Sequence, residues 1–358
     1  MGRIRHIDWM KGIAILFMVQ VHTAAVVPPT GVEVGNHPLA FLAAALGGMA
    51  APLFVTMSGW GVHASAIRKG REGREWISWL VPRVSILFLC QILVNGLFHQ
   101  NHGGRFEILT PGILTLFAVS ALIMPILSKT KTFSRGVIMI GLILSPSILG
   151  AHVGSEWSWG ARIHSDGLME WFERLLINGT YPAIPWLSYT ILGSIIADMR
   201  ESRLAIMQTF AAGFVFTCYT VLMSFSQNQT WALTEGEAVL TFFPANSEFV
   251  IVSATFVILL QMILEKIEDE WQESLIERIL RGLEPAGRLS LTIYVGHFAL
   301  LGAFVAMYGR SSFPLEVSFA FTVIHMFAWV PLSIVYERIL PNYSLEQMIR
   351  VMSRKLSM

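Results

Sequence analysis

Residues 3–22 read RIRHIDWMKGIAILFMVQVH, which places charged side chains at the start of an apolar helix and one histidine near its far end. On an α-helix, the eleven steps from Lys11 to His22 return to nearly the same face, roughly 16 Å higher along the axis. The residues of this stripe are Asp8, Lys11, Ile15, Met18 and His22. Ionisable groups at membrane depth are costly and usually functional, so the stripe predicts a functional site.

The composition places the chain in a membrane. Of its 358 residues, 54% are hydrophobic and only 14% are charged, whereas soluble domains average roughly a quarter charged. The two cysteines, Cys90 and Cys218, both lie in apolar runs, which predicts buried thiols rather than a disulfide framework or a cysteine metal site. The sequence therefore predicts an integral, multi-pass membrane protein.

Ten apolar runs have about the length that a helix needs to cross a bilayer. They lie near residues 10–29, 39–64, 76–98, 111–128, 135–152, 183–199, 204–226, 247–265, 289–308 and 315–337. We expect an all-α bundle of about ten transmembrane helices that forms a single domain over residues 1–358.

Lysine and arginine mark alternate connections between these runs. They cluster near 68–74 and 129–135 and at both chain ends, whereas segments 30–38 and 227–246 contain none. The positive-inside rule therefore predicts that both termini are cytoplasmic and that 30–38, 153–182 and 227–246 face outward.

Two connecting segments carry further patterns. Aromatic side chains of the outer segment 153–182 fit either anchoring at the membrane interface or stacking on sugars. These are Trp157, Trp159, Trp171 and Tyr181. Apolar residues at helical spacing over 267–280 predict an amphipathic helix in the cytoplasmic interface.

Histidine is the leading candidate for chemistry. His22 is either a packed, hydrogen-bonded side chain or a group that reacts, and imidazole suits both proton abstraction and transient acylation. His37 follows fifteen residues later, in the outer segment without basic residues. We expect the two imidazoles to meet at the outer mouth of one cavity.

Further polar residues lie inside the predicted spans. Arg83 fits either snorkelling to lipid headgroups or binding an anionic ligand from the cytoplasm. Ser58 lies in a span with small glycines that favour close helix packing, and Asn95 lies further along the span of Arg83. A second polar stripe consists of Ser290, Tyr294 and His297.

Several activities lack their motifs. There is no phosphate-binding glycine loop of the Walker type, no His-Glu-x-x-His zinc motif and no Gly-x-Ser-x-Gly nucleophile elbow. The predicted topology accounts for the basic clusters without a phosphate ligand.

The opening stretch resembles the start of the integral-membrane acyltransferases, which include heparan-α-glucosaminide N-acetyltransferase and its prokaryotic relatives. Their signature on the first helix is Arg, ten residues, then His; here Lys11 stands at the first position and His22 matches the second. In the heparan branch the reactive histidine comes later, in the outer loop, where His37 falls.

Four later segments resemble the heparan branch in the same order. They are APLFVTMSG (51–59), PGILTLFAV (111–119), IPWLSYTILG (184–193) and GRLSLTIY (287–294). A departure occurs at 242–247, where FFPANS replaces a Lys-Tyr-Pro-Pro-Ser segment that is common in the family.

The resemblance implies an enzyme that moves an acyl group, most simply acetyl, from cytoplasmic acyl-CoA to an amine or hydroxyl of a sugar or glycan outside. It implies catalytic roles for His22 and His37. Asp8, Lys11 and Arg83 then bind the donor. Residues expected to support the site are Arg5, Ser58, Asn95, Ser290, Tyr294 and His297.

The same resemblance predicts acetyl-CoA or another acyl-CoA as co-substrate, no metal, no nucleic-acid partner, contact with membrane lipid and a homodimer as one option for the assembly. It places the protein in a prokaryotic cytoplasmic membrane. A proton-coupled secondary transporter is the alternative, with Asp8, Arg83, His22 and His297 as its relay. Inverted repeats, which many transporters contain, are not detectable in the sequence.

Overall fold

The computed structural model describes residues 4–32, 37–70, 73–150, 158–200 and 202–357, and helices dominate these residues. In chain order they are α1 (Arg5–Val26), α2 (Pro38–Lys69), α3 (Gly73–Leu97), α4 (Ile113–Leu127), α5 (Thr132–Leu149), α6 (Trp159–Ile163), α7 (Leu168–Glu173), α8 (Ala183–Met199), α9 (Arg203–Gln227), α10 (Ser247–Glu270), α11 (Leu275–Arg288), α12 (Ser290–Tyr308), α13 (Leu315–Ile339) and α14 (Leu345–Ser357). Each of the ten predicted spans corresponds to one of them.

Eight helices of the described residues are long and apolar enough to cross a membrane, and α4 and α8 are shorter apolar helices. The prediction of an all-α, polytopic membrane protein is confirmed. The cytoplasmic position of both termini and the single domain over residues 1–358 stay predictions.

The connecting segments contain small elements that the sequence did not reveal. Strands β1 (Ala232–Glu235) and β2 (Leu240–Phe243) form a parallel pair within the predicted outer segment 227–246. In the segment after α5, Nε1 of Trp171 donates to the carbonyl oxygen of Leu109 at 2.8 Å. Trp157, one of the four predicted aromatic anchors, lies outside the described residues.

The predicted amphipathic helix over 267–280 is wrong in its bounds. Helix α10 continues to Glu270, and a separate helix, α11, begins at Leu275. The hydroxyl of Ser274 accepts a hydrogen bond from the backbone N–H of Glu277 at 3.1 Å, which is the N-cap that starts α11. The helical spacing of apolar residues over 267–280 therefore spans two helices, and the capping Ser274 marks the start of the second one.

Contacts divide the chain into two compact units. The first consists of Met1–Phe54, Gly96–Phe106 and Leu259–Val351, and the second of Val55–Asn95, Glu107–Ile258 and Met352–Met358. In the first unit, α1 packs against α11, α12 and α13; in the second, α8 packs against α4 and α5.

Glycines bring backbones together within each unit. In the first, a Cβ on Gly287 would lie 2.0 Å from the carbonyl oxygen of Asp8, so α11 touches the backbone of α1. In the second, a Cβ on Gly59 would lie 2.1 Å from the carbonyl oxygen of Thr190. Small residues at such positions let membrane helices approach closely.

Candidate functional site

The first unit brings together two histidines from distant parts of the chain. Nδ1 of His22 in α1 lies 2.8 Å from Nε2 of His297 in α12. The two rings are nearly parallel, with an angle of 2° between their planes. Nδ1 of His297 lies 3.1 Å from the carbonyl oxygen of Ile293, one turn earlier in α12. His297 is fully buried, whereas His22 is half-buried and keeps part of its surface accessible.

Aromatic side chains surround this pair. The ring of Phe298 lies 4.5 Å from that of His22, between centroids, and Tyr294 approaches His22 edge-on at 6.4 Å. Phe98 and Phe106, from the segment between α3 and α4, contact Phe298 in turn. The histidines therefore lie in a largely apolar environment. Such an environment excludes water, which would otherwise exchange protons with the imidazoles.

The segment that carries Phe98 and Phe106 is a tight loop held by the connection after α12. Nε and Nη2 of Arg310 donate to the carbonyl oxygens of Gly103 and Gly104, at 2.9 and 2.7 Å. Arg105, in the same loop, is the cation that acts electrostatically on His22. The loop therefore adds a positive charge near the histidine pair.

The first turn of α1 is tied to acidic side chains of α10 and α11. Nη2 of Arg5 lies 2.6 Å from Oε1 of Glu277, and its Nε donates to Oε1 of Glu284 at 2.9 Å. Its backbone N–H donates to Oε1 of Glu268 at 2.9 Å. A hydrogen bond from Arg281 lowers the pKa of Glu277, and Arg5 adds to this effect. Arg5 therefore supports the position of α1, with its charge compensated.

Asp8 and Lys11 lie one and two turns after Arg5. Asp8 is buried, its backbone touches Gly287, and its carboxylate acts electrostatically on Arg288 of α11. Lys11 is half-buried. Both lie on the helix that carries His22, as the sequence predicted.

The described contact of His37 is a local one, and its meeting with His22 at one opening stays a prediction. Its Nδ1 accepts a hydrogen bond from the backbone N–H of Leu39 at 3.3 Å, at the start of α2. Among the contacts of the described residues, the partner of His22 is His297 rather than His37. Ser290 begins the helix of His297, two turns before it.

The other predicted site residues, Ser58, Arg83 and Asn95, belong to the second unit. Arg83 is half-buried, and its guanidinium lies 4.9 Å from the centre of the Trp79 ring, a cation–π contact. Asn95 is fully buried; its amide donates to the carbonyl oxygens of Ile108 and Thr110, each at 2.9 Å. Asn95 therefore supports the fold by fixing the chain that enters α4.

A second buried histidine cluster also lies in this unit. His63 is 1% exposed. Its Nε2 lies 2.8 Å from Oδ1 of Asp198, and its Nδ1 lies 2.9 Å from Oγ of Ser128. Arg135 pairs with the other carboxylate oxygen of Asp198, which also accepts a bond from Thr132 at 2.8 Å. The carboxylate of Asp198 is paired with the buried guanidinium of Arg135. We therefore infer that this cluster stabilises the fold by joining α2, α4, α5 and α8.

Comparison with known proteins bears on the first three helices. Residues 4–99 match the family model of an acyltransferase domain. No curated protein matches the chain. The match contains the opening stripe with His22, and with the eight candidate spans it supports a membrane acyltransferase.

Sequence reasoning missed two features of the site. It grouped His297 with His22 only in the relay of the transporter alternative and did not predict their direct contact, because no local pattern joins residues that far apart. It also passed over Arg105, which lies in a polar loop outside every apolar run. The glycines at 103 and 104 were the available signal, because Gly103 has a φ of +80° and marks a tight turn.

Proposed function

We propose that this protein transfers an acyl group, most simply acetyl, from acyl-CoA on the cytoplasmic side to an amine or hydroxyl of a sugar or glycan outside, with His22 as general base. The observation that supports this best is the contact of the His22 imidazole with His297, within the stretch that matches an acyltransferase domain. The likeness of four segments to the heparan branch supports an amino sugar as acceptor and a prokaryotic cytoplasmic membrane as the location.

The proposed reaction balances without a metal. His22 takes the proton from the acceptor O–H or N–H as the acceptor atom attacks the thioester carbonyl. The tetrahedral intermediate collapses, the C–S bond breaks, and the thiolate leaves with the proton from His22. Arg105 favours the negative charge that develops on the carbonyl oxygen. Lys11 attracts the anionic donor at the opposite end of α1.

The decisive experiment uses purified protein in lipid vesicles with acetyl-CoA and glucosamine. We expect free coenzyme A, read by a thiol reagent, to appear only when acceptor is present, together with acetylated sugar by mass spectrometry. Accumulation of unmodified sugar inside the vesicles without thiol release would instead support the transporter. An acceptor panel of amino and neutral sugars then separates N- from O-acylation.

The same proposal requires a defined topology. In a protein whose two cysteines are replaced by serine, an impermeant thiol reagent should label a Ser165→Cys variant in intact cells and spare Lys131→Cys. The reverse pattern would contradict the cytoplasmic termini. Both positions lie in connections between helices, so neither variant disturbs a span.

A further inference from the structure

The contacts of the histidine pair assign its hydrogens. A carbonyl oxygen only accepts, so the bond to Ile293 puts a hydrogen on Nδ1 of His297. His297 is fully buried, where a neutral ring is favoured, and a neutral imidazole has one N–H. Nε2 of His297 is therefore an acceptor, and Nδ1 of His22, 2.8 Å away, is the donor. This leaves a lone pair on Nε2 of His22.

We propose that His297 is a positioning residue: it holds His22 in the tautomer whose Nε2 is free to take the proton of the acceptor. The inference rests on the proposed role of His22 as general base. When Nε2 gains the proton, Nδ1 of His22 still donates to His297, so the pair remains bonded in both protonation states. The ring of His22 therefore keeps its orientation through the reaction.

A neighbouring histidine shows the contrasting case. Trp329 donates to Nε2 of His325 at 3.3 Å, and Nδ1 of His325 lies 2.8 Å from the hydroxyl of Thr23, which donates to Val19. Both nitrogens of His325 are thus occupied, as in a structural histidine. His22 differs, because its hydrogen-bond contact with the described residues is made by Nδ1 and none of them bonds Nε2.

Two substitutions separate the contacts of His297. Glutamine places an amide near the position of Nε2 and can accept from His22. Asparagine places its amide near the position of Nδ1, so it keeps the bond to the Ile293 carbonyl and loses the one to His22. We expect His297→Asn to lower kcat by about 10²-fold or more, with donor and acceptor KM within about twofold, and His297→Gln to keep most of the activity. His102→Gln, in an exposed loop, is the matched control.

A second measurement does not depend on turnover. Nitrogen NMR of ¹⁵N-histidine-labelled wild-type protein in lipid should show His22 with its proton on Nδ1, with His22→Gln serving to assign the signal. In His297→Asn, the signal should move toward a mixture of tautomers. Such a shift accompanies lost positioning and does not follow from a general loss of stability.

The outcomes distinguish this inference from the function that it rests on. If wild-type protein transfers no acyl group but His22 carries its proton on Nδ1, the proposed function is wrong and the assignment of hydrogens stands. If transfer occurs and His22 carries its proton on Nε2, the positioning role is overturned. Full activity of His297→Asn, or equal losses in the Asn and Gln variants, would overturn it as well.

Discussion

Nδ1 of His22 lies 2.8 Å from Nε2 of His297, although 275 residues separate them in the chain. The contact joins a residue inside the stretch that matches an acyltransferase domain to one far beyond it. The part of the chain after residue 99 therefore contributes to the candidate site, because it supplies His297, which we propose to orient His22.

The first prediction compares the two candidate bases. His22→Gln should lower kcat for acyl transfer by about 10²–10⁴-fold, because it removes the proposed general base. His37→Gln should have the smaller effect, since its described contact is the local one to Leu39. Turnover by both purified variants is the measurement, with circular dichroism to check folding. A larger loss in His37→Gln would move the chemistry to the outer loop, as in the heparan branch.

The second prediction concerns the donor. Lys11→Ala and Arg83→Ala, each made alone, should raise the KM for acetyl-CoA several-fold and leave kcat nearly unchanged, because a basic group favours the anionic donor. Arg83→Lys distinguishes the two interpretations of that residue, which are snorkelling to lipid headgroups and binding of the anionic donor. It keeps the charge for snorkelling but loses the planar stacking on Trp79. An unchanged donor KM in both alanine variants would exclude these residues from donor binding.

The third prediction tests the cluster around His63. Asp198→Asn should lower the free energy of unfolding by about 3 kcal/mol, because it leaves the buried guanidinium of Arg135 uncompensated. Thr132→Ala removes one hydrogen bond to the same carboxylate and should cost only about 1 kcal/mol. Reversible unfolding in detergent measures both. Equal stability of Asp198→Asn and wild type would show that the cluster does not hold the helices together.

The fourth prediction uses two glycines of α2. Gly59→Ala should destabilise the protein by about 1–3 kcal/mol, because the new Cβ would lie 2.1 Å from a backbone oxygen, which cannot move aside alone. Gly61→Ala, two residues later, meets open space and should be neutral or slightly stabilising, since alanine favours helix. Thermal unfolding of both variants decides it, and the same loss in both would contradict the described packing.

These glycines also show which features of the structure can be predicted from the sequence and which cannot. Run length and hydropathy predicted ten helices, because the membrane imposes a length on every span. By contrast, Gly59 and Gly61 are equivalent in the sequence, and only the position of α8 distinguishes them. The pairing of His22 with His297 is hidden for the same reason, because it depends on which helices of the bundle are neighbours. Arg105 lies in a loop, where no periodicity indicates a position.

The last prediction is a pH dependence in the connection after α6. Hydrogen bonding to the carboxylate of Glu107, with a further contribution from Asp166, raises the pKa of His164 above its usual 6.5. Because the folded-state pKa is the higher one, the stabilisation is fully present below about pH 6.5 and is lost as the pH rises through the raised value. An NMR titration should place the midpoint of His164 above 6.5 in wild type and lower in Glu107→Gln. His102, exposed in another loop, is the internal reference, and coincident midpoints for His164 in wild type and variant would show that Glu107 does not hold the proton there.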